Sequence, residues 1–314
     1  MNTSTQNKPR VLGIVGATAS AKTALSLPLA QALNCEIVCM DSMQIYRRMD
    51  IGTAKPTADE RALIPHHMLD IAEPTEPFSV AQYVEQARAV ITDIVHRGRV
   101  PMLVGGTGLY LQGLTLPMDY GGLPSAPAIR KRLTEQAERE GAASMHARLA
   151  AVDPPAAARL HPNDQRRVIR ALEIYELTGI PMSQHRTPTQ ADAPYDFSLY
   201  AVDWPRAELH ARINQRVDQM LANGLMQEVQ TLLDSGVAEG AQSMQGLGYK
   251  ELLPCLHGYI SLAQAAEAIK VGTRNYARRQ LIWFRRDTRI RWIPSTELSH
   301  AKERIIQDWE EHIR

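Results

Sequence analysis

Residues 11–33 read VLGIVGATASAKTALSLPLAQAL, and this stretch decides the fold. Its apolar beginning, Val11–Val15, predicts a short buried strand that ends at Gly16. A helix is predicted over Lys22–Leu33, and we expect Pro28 to kink it. A loop of small residues therefore leads from a strand directly into a helix, which is the context that a phosphate-binding loop requires.

The loop itself predicts phosphate binding. Consecutive backbone N–H groups at a helix start form a concavity that attracts anions, Lys22 would reach terminal phosphates, and the Thr23 hydroxyl would hold Mg²⁺. The usual pattern G-x-x-x-x-G-K-[ST] has glycine at Ala21, where a left-handed backbone would cost about 1–2 kcal/mol, so either φ is negative or the loop tolerates strain. A small-residue turn with an incidental lysine is the alternative. The predicted phosphate-binding residues are Gly16, Ala17, Thr18, Ala19, Ser20, Ala21, Lys22 and Thr23.

Further strands and helices alternate along the first third of the chain. Strands are predicted over Glu36–Met40 and Val100–Val104. Between them, Ser79 and Gln82 have the spacing of a capping box at the start of an amphipathic helix that Gly98 ends. This alternation predicts an α/β fold with a parallel sheet flanked by helices.

The sequence pattern in the middle of the chain differs from that of the first third. From 117 to 194 the pattern is helical, charged and interrupted by proline, and a polar linker is predicted over Thr187–Pro194. A strand at Phe197–Val202 then rejoins the sheet. We therefore predict an α/β core in two parts, 1–116 and 196–314, with an all-helical insertion domain over 117–195. The other predicted elements are helices Ala128–Glu140, Ser144–Ala150, Asp164–Leu177, Arg206–Asn223, Leu225–Asp234 and Leu262–Arg286, and a last strand Ile290–Ile293.

Two polar residues follow predicted strands at their carboxyl ends. Asp41 comes directly after the second strand and Thr107 follows the third, after Gly105 and Gly106. Ligands of open α/β sheets collect at this edge, so Asp41 should face the phosphate loop. It could hold Mg²⁺ through water, act as a general base, or only cap the following turn. For Thr107 a plain tight turn is nearly as good an explanation.

The composition is that of a globular protein, with 44% hydrophobic and 22% charged residues. No apolar run approaches the ~18 residues of a membrane span, so we expect no membrane association. Three cysteines exclude a disulfide scaffold and fit a reducing compartment, and a cytoplasmic protein is expected. A signal peptide at Lys8 and Arg10 is a weak alternative because the apolar stretch is short and runs into the phosphate loop.

Positive charge is concentrated near the end of the chain. The net charge is +1, yet the segment from Lys270 to Trp292 has eight basic residues and one acid, so it carries +7 and the remainder −6. Arginines alternate there with Tyr276, Trp283 and Phe284, a combination suited to phosphates and unpaired bases. Two smaller basic clusters lie in the insertion. A solvated helix face is the alternative for each cluster. The clusters in the insertion are Arg130-Lys131-Arg132 and Arg166, Arg167, Arg170.

At this point the chain closely resembles the tRNA dimethylallyltransferases of the bacterial type, without the zinc finger of some eukaryotic members. That family attaches an isopentenyl group to N6 of the adenine beside the anticodon. Two of the six matching stretches are long and unusual, whereas the phosphate loop alone would be a weak match. The stretches are GATASAKT (16–23), DSMQIYRRMDIGTAKP (41–56), GGTGLY (105–110), HPNDQRRVIRALEIY (161–175), GLGYKE (246–251) and RNYARRQLIWFRR (274–286).

The resemblance implies a nucleotide-kinase-like parallel sheet and a chemistry for the site. Dimethylallyl diphosphate would lie on the phosphate loop with Mg²⁺. Asp41 would take the proton of the adenine amine, and Thr107 would help to hold that amine. Arg216 is expected at the leaving pyrophosphate, with Arg212 the less favoured choice on the same helix.

The resemblance also implies a surface for the tRNA anticodon stem-loop, from which the adenine must be extruded to reach Asp41. The helical insertion would clasp the other side of the loop, and a monomer suffices. The implied tRNA-binding residues are Asp41, Ser42, Met43, Gln44, Thr107, Arg130, Gln165, Arg166, Arg167, Gly246, Gly248, Tyr249, Lys250, Arg274, Arg278, Arg279, Gln280, Trp283 and Arg285.

Two other functions compete with this interpretation. A small-molecule kinase or NTPase would bind ATP with the same loop and Asp41 but has no use for the +7 segment. A non-catalytic RNA-binding module leaves the phosphate loop unexplained.

Overall fold

The computed structural model describes residues 8–115, 126–185 and 193–311. In these ranges six parallel strands form one sheet in the order β3-β2-β4-β1-β5-β6, which confirms the predicted α/β fold. The strands are β1 (Arg10–Val15), β2 (Cys35–Met40), β3 (His66–His67), β4 (Val100–Gly105), β5 (Asp196–Asp203) and β6 (Ile290–Pro294).

The register brings three strand ends to one point. Gly105, the last residue of β4, pairs with both Val15 of β1 and Met40 of β2. A side chain at Gly105 would overlap the backbone of Met40, so this close approach requires glycine. The phosphate loop, Asp41 and Thr107 follow these three strands, and the register therefore places them at the same edge of the sheet.

Helices cover both faces of the sheet. Leu25 and Leu29 pack on one face together with Ile305, while Tyr83 and Ile91 pack on the other. No helix of the described residues is long and apolar enough to cross a membrane. The helices of this core are α1 (Lys22–Ala32), α2 (Ala58–Leu63), α3 (Val80–His96), α4 (Gly108–Thr115), α8 (Arg206–Ala222), α9 (Leu225–Asp234), α10 (Leu253–Leu256), α11 (Leu262–Phe284) and α12 (Ala301–Glu311).

Most predicted elements match to within two residues, and the exceptions have local reasons. The capping box of Ser79 and Gln82 begins α3 as predicted. Helix α1 continues through Pro28 as a single element. Strand β3 was not predicted because its two histidines have no strand pattern of their own and pair only with Ile37 and Val38. Helices α2, α4, α10 and α12 of this core were not predicted either.

The chain divides into two compact units, Met1–Thr115 with Ala193–Arg314, and Leu116–Asp192. The predicted boundary at 116/117 and most of the linker Thr187–Pro194 lie outside the described residues. Leu133, Leu149 and Leu172 form part of the small core of the second unit. Its helices are α5 (Pro127–Val152), α6 (Pro154–Arg159) and α7 (Gln165–Thr178).

Helix α5 contains both of the first two helices predicted for this region. It is broken at Gly141, which has a left-handed φ of 82° that glycine adopts without strain. The predicted helices Ala128–Glu140 and Ser144–Ala150 lie on either side of that break.

Candidate active site

The phosphate loop between β1 and α1 adopts a strained backbone. Ala19 and Ala21 both have left-handed φ values, 61° and 68°. Of the two possibilities left open by the sequence, the loop therefore takes the strained one, at about 1–2 kcal/mol for each alanine. The Lys22 ammonium lies over the loop and donates to the carbonyl oxygens of Gly16 (3.2 Å) and Ala17 (2.6 Å).

Gln280 of α11 braces this loop from the far end of the chain. Its side-chain oxygen accepts from the Thr18 N–H (2.9 Å), and its amide nitrogen donates to the carbonyl of Gly106 (2.8 Å). The side chain is 6% exposed. We expected Gln280 among the tRNA-contacting residues, but both polar ends of its side chain are engaged in joining the loop to the turn after β4.

Two further side chains hold the loop, and neither role was visible in the sequence. The indole N–H of Trp204 donates to the carbonyl of Ser20 (3.2 Å). Arg212 donates through Nε to the carbonyl of Ala19 (2.8 Å), and its guanidinium lies 4.2 Å from the centre of the Trp204 ring. Arg212 is thus committed to the loop backbone. This supports Arg216 as the arginine available to an anionic ligand.

Asp41 caps a turn and keeps one oxygen available. Its Oδ1 accepts from the backbone N–H groups of Met43 (2.9 Å) and Gln44 (3.3 Å), while no described residue donates to Oδ2. The Thr107 hydroxyl oxygen accepts from the N–H of Ser42 (3.0 Å). Capping and a chemical role for Asp41 are therefore compatible, because the cap uses only one oxygen and fixes the orientation of the carboxylate.

Tyr276 of α11 completes the surroundings of Thr107. Its phenol lies beside the side chains of Thr107 and Gln280, and burial raises its pKa above the usual value. The Tyr276 hydroxyl therefore stays protonated and can donate a hydrogen bond. Helix α11 thus contacts both the phosphate loop and the turn that carries Thr107.

The charges of Lys22, Arg216 and Asp41 lie close enough to interact with one another. Burial, followed by the neighbouring Arg216 charge, lowers the pKa of Lys22 to about 8, against the opposing attraction of Asp41. Burial also lowers the pKa of Arg216, and Asp41 again opposes the shift. None of the described residues forms an ion pair with Arg216 within 4.0 Å. Two half-buried cations beside one carboxylate form a site suited to a polyanion.

A cavity of about 680 Å³ joins these groups. The phosphate loop, Asp41 and Arg216 all line it, as do the segments 42–44 and 246–250. The predicted phosphate site and the predicted base therefore share one chamber. Thr107 is tied to that chamber through its bond to Ser42.

The donor set of the cavity is compatible with Mg²⁺ bound together with a phosphate ligand. Thr23 and Asp41 both line the cavity, and hydroxyl and carboxylate oxygens are the ligands that Mg²⁺ takes alongside phosphate oxygens. Within the described ranges no group of three or more acidic, histidine or cysteine side chains could hold a metal. A metal at Thr23 would therefore depend on oxygens supplied by the ligand.

The implied tRNA-binding residues of α11 differ in their accessibility. Arg278, Arg279 and Trp283 are exposed, and Arg279 also lines the cavity. Arg274 is half-buried and pairs with Glu267 (2.8 Å), while the exposed Arg285 pairs with Asp203 (3.0 Å). Part of the charge on this helix is thus balanced by neighbouring acids. Of the 246–250 segment, Gly246, Gly248 and Tyr249 are buried and Lys250 is exposed.

The corresponding residues of the second unit lie on α5 and α7. Gln165, Arg166 and Arg167 are exposed at the start of α7. Arg130 is exposed too, but it pairs with the fully buried carboxylate of Glu173 (2.8 Å). Arg130 therefore also stabilises the insertion.

Comparisons with known proteins agree on one family. A model described as IPP transferase matches residues 44–287, and one described as isopentenyl transferase matches residues 9–69. The tRNA dimethylallyltransferase 1 of Trichlorobacter lovleyi is 49% identical over 294 residues, 93% of this chain and 96% of that protein. The tRNA dimethylallyltransferase of Bacillus subtilis is 46% identical over 302 residues, 95% of this chain and 96% of that protein.

Solved structures give the same answer. The full-length tRNA isopentenylpyrophosphate transferase of Bacillus halodurans is 41% identical with a TM-score of 0.72, covering 97% of this chain and 98% of that one. A eukaryotic dimethylallyltransferase acting on tRNA is 30% identical with a TM-score of 0.86, covering 97% and 79%. Matches of this extent in both sequence and fold show that the chain belongs to the tRNA dimethylallyltransferase (IPP transferase) family.

Proposed function

We propose that this chain transfers a dimethylallyl group from dimethylallyl diphosphate to N6 of the adenine beside the tRNA anticodon, releasing diphosphate. The observation that carries the proposal is the shared cavity, in which a phosphate loop and the Asp41 carboxylate face the same space. A kinase or NTPase would use the loop equally well. It would have no need for the exposed arginines of α11, whereas prenyl transfer to tRNA uses both features, the loop for the diphosphate and the arginines for the tRNA.

The loop side of the cavity would bind the diphosphate and stabilise it as it leaves. Loop N–H groups, the Lys22 ammonium and the Arg216 guanidinium can all meet phosphate oxygens. Negative charge grows on the diphosphate as the bond between the allylic carbon and oxygen breaks, so fixed cations there favour the transition state. Mg²⁺, held through Thr23 when bound, would supply further charge neutralisation.

Asp41 would accept the proton that the adenine amine loses. The exocyclic nitrogen is a weak nucleophile because its lone pair is delocalised into the ring. As the new N–C bond forms, the amine proton passes to Asp41, a kind of assistance that typically contributes about 10²–10⁴-fold. Cap bonds from Met43 and Gln44 hold the carboxylate in one orientation. Thr107 would hold the amine, positioned by its bond to Ser42.

The exposed face of α11 would receive the anticodon loop. Arg278 and Arg279 can contact phosphates, and the Trp283 ring offers a surface on which an unpaired base stacks. The adenine must leave its stack to reach Asp41, and a single-stranded loop makes this extrusion cheap. Because its substrate would be a tRNA, we propose that the enzyme acts in the cytoplasm. We also propose that it acts as a monomer, since one chain supplies all the residues assigned to the site.

One assay separates the proposal from its rivals. The protein is incubated with Mg²⁺, radiolabelled dimethylallyl diphosphate and tRNA that lacks the modification, and in parallel with ATP. We expect label in the tRNA, released diphosphate in equal amount, and dimethylallyl-adenosine after digestion. ATP turnover without labelled tRNA would support a kinase or NTPase. Binding of tRNA with neither reaction would leave only an RNA-binding module.

A further inference from the structure

One carboxylate behind the cavity wall, that of Glu228 on α9, binds two separate segments of that wall. Its Oε2 accepts from the backbone N–H groups of Asp50 (2.8 Å) and Ile51 (2.7 Å). Its Oε1 accepts from the N–H of Gly52 (3.0 Å) and the hydroxyl of Tyr249 (2.6 Å). Gly52 and Tyr249 line the cavity, whereas Glu228 does not.

These contacts occupy both oxygens of the Glu228 carboxylate. Three consecutive backbone N–H groups that converge on one carboxylate form the kind of concavity that binds anions in loops. Hydrogen bonds to a charged acceptor are shorter and stronger than neutral ones, and each oxygen here accepts two. The carboxylate is thereby saturated, and its effect on chemistry must pass through the groups that it holds.

The segment held by Glu228 leads to Asp41 through hydrogen bonds. The carbonyls of Thr53 and Ala54, which follow Gly52, accept from the side-chain amide of Gln44 at 2.9 and 3.1 Å. The backbone N–H of Gln44 in turn donates to Asp41 Oδ1. A displacement of this segment would therefore move Gln44 and, through it, the turn that orients Asp41, the proposed base.

Tyr249 ties the second segment to the same carboxylate. Burial, with the adjacent Glu228 charge, raises the pKa of its phenol, so the hydroxyl stays protonated and donates. The ring packs directly on Gly52, where a Cβ would lie 2.5 Å from the ring carbon Cε2. Glycine at this position lets the 246–250 segment approach the segment that follows Asp41.

We propose that Glu228 is a positioning residue for prenyl transfer, an inference that rests on the proposed function. It holds Asp50–Gly52 and Tyr249 so that the turn of Asp41 and the 246–250 segment keep their places around the adenine-binding part of the cavity. The phosphate loop is held separately, by Gln280, Trp204 and Arg212. Loss of Glu228 should therefore affect the reaction step more than the binding of dimethylallyl diphosphate.

The segment has a second anchor, which makes a test variant practicable. The buried Lys55 donates to the carbonyl of Tyr46 (2.5 Å) and to the carboxylates of Asp50 (2.8 Å) and Asp70 (2.6 Å). These bonds remain when Glu228 is changed. We therefore expect the variant chain to fold with the segment loosened.

The first test is Glu228→Gln, which keeps the shape of the side chain but turns one acceptor into a donor that faces other donors. We expect kcat for tRNA prenylation to fall about tenfold or more, with the KM for dimethylallyl diphosphate within about twofold of wild type. Amide exchange in peptides covering 50–55, followed by mass spectrometry on the free full chain, should speed up about tenfold. The matched control is Asp234→Asn on the same helix, whose exposed carboxylate accepts from Gln230 and from no other described residue. It should change neither measurement.

Tyr249→Phe is the second variant, and it removes one of the four donors while keeping the ring. We expect kcat to fall about two- to threefold, and the double variant to be no slower than Glu228→Gln alone, because both changes act on one unit. Multiplied effects would show that the two residues act separately and would overturn the proposal. Two results for Glu228→Gln would also overturn the proposal. One is a normal kcat despite faster amide exchange in residues 50–55, and the other is unchanged amide exchange there. An inactive wild-type chain would instead refute the proposed function. The exchange measurement would still show whether Glu228 holds residues 50–52 in place.

Discussion

Replacing Gln280 with leucine tests whether this residue braces the phosphate loop or contacts tRNA. Leucine fills similar space but cannot make the bonds to the Thr18 N–H and the Gly106 carbonyl. An unpaired buried polar group costs about 1–3 kcal/mol, so two such groups set an upper range of about 2–6 kcal/mol. Thr18 is half-buried and can regain a bond from water, whereas Gly106 is buried. We therefore expect a loss of about 2–4 kcal/mol.

The assay for Gln280→Leu combines stability with two Michaelis constants. Urea unfolding should show the lower free energy of unfolding, and the KM for dimethylallyl diphosphate should rise because the displaced Thr18 belongs to the loop. The tRNA KM should change less. Asn275→Ala, an exposed change on the same helix, is the control. An unchanged free energy of unfolding and an unchanged dimethylallyl diphosphate KM, with only the tRNA KM raised, would refute the bracing role.

Two other predictions concern charge. Arg278→Ala should weaken tRNA binding and reduce the slope of log K against log salt by about 1, as measured by filter binding, because an exposed guanidinium that meets a phosphate releases about one counterion. An unchanged slope would remove Arg278 from the interface. Lys22, with its pKa lowered to about 8, is charged below that pH and neutral above it, so the affinity of the free enzyme for a non-hydrolysable diphosphate analogue should fall as pH rises through 8. Lys22→Arg should flatten that part of the profile in calorimetric titrations, and a profile identical to wild type would assign the pH dependence to another group.

The sequence predicted those parts of the site whose positions follow from neighbouring residues in the chain or from the ends of predicted strands. A strand, a small-residue loop and a helix start are contiguous, so the phosphate loop could be placed from residues 11–33 alone. Asp41 and Thr107 could be placed because the ends of parallel strands meet at one edge. The choice of Arg216 over Arg212 came from the family resemblance, and Arg212 is committed to Ala19.

The supports of the site could not be predicted in the same way. Gln280 is 262 residues from Thr18, and Trp204 is 184 residues from Ser20. No periodicity or spacing connects residues so far apart, and contacts of this kind depend on the final packing of helices on the sheet. Glu228 was missed for the same reason, since a single acid on an amphipathic helix gives no sign of the backbone that it binds.

Counting charges overestimated the positive surface of the basic segment. Arg274, Arg285 and Arg291 each pair with an acidic side chain from outside the segment, the last with Asp308. Such pairs between partly exposed groups contribute little to stability, but they reduce the local positive potential. The net charge of +7 therefore does not measure how many of these residues can contact phosphates. The exposed Arg278 and Arg279 are better candidates for such contacts than the paired arginines.

The most direct test of the account is the single-turnover rate of Asp41→Asn. Asparagine keeps an oxygen that can accept from Met43 and Gln44, so the turn should survive while the proton acceptor is lost. With tRNA and dimethylallyl diphosphate bound, we expect the rate of prenyl transfer to fall about 10²–10⁴-fold and tRNA affinity to stay within about twofold. A near wild-type transfer rate would contradict the role of Asp41 as the base, and a large loss of tRNA affinity would assign Asp41 to recognition instead.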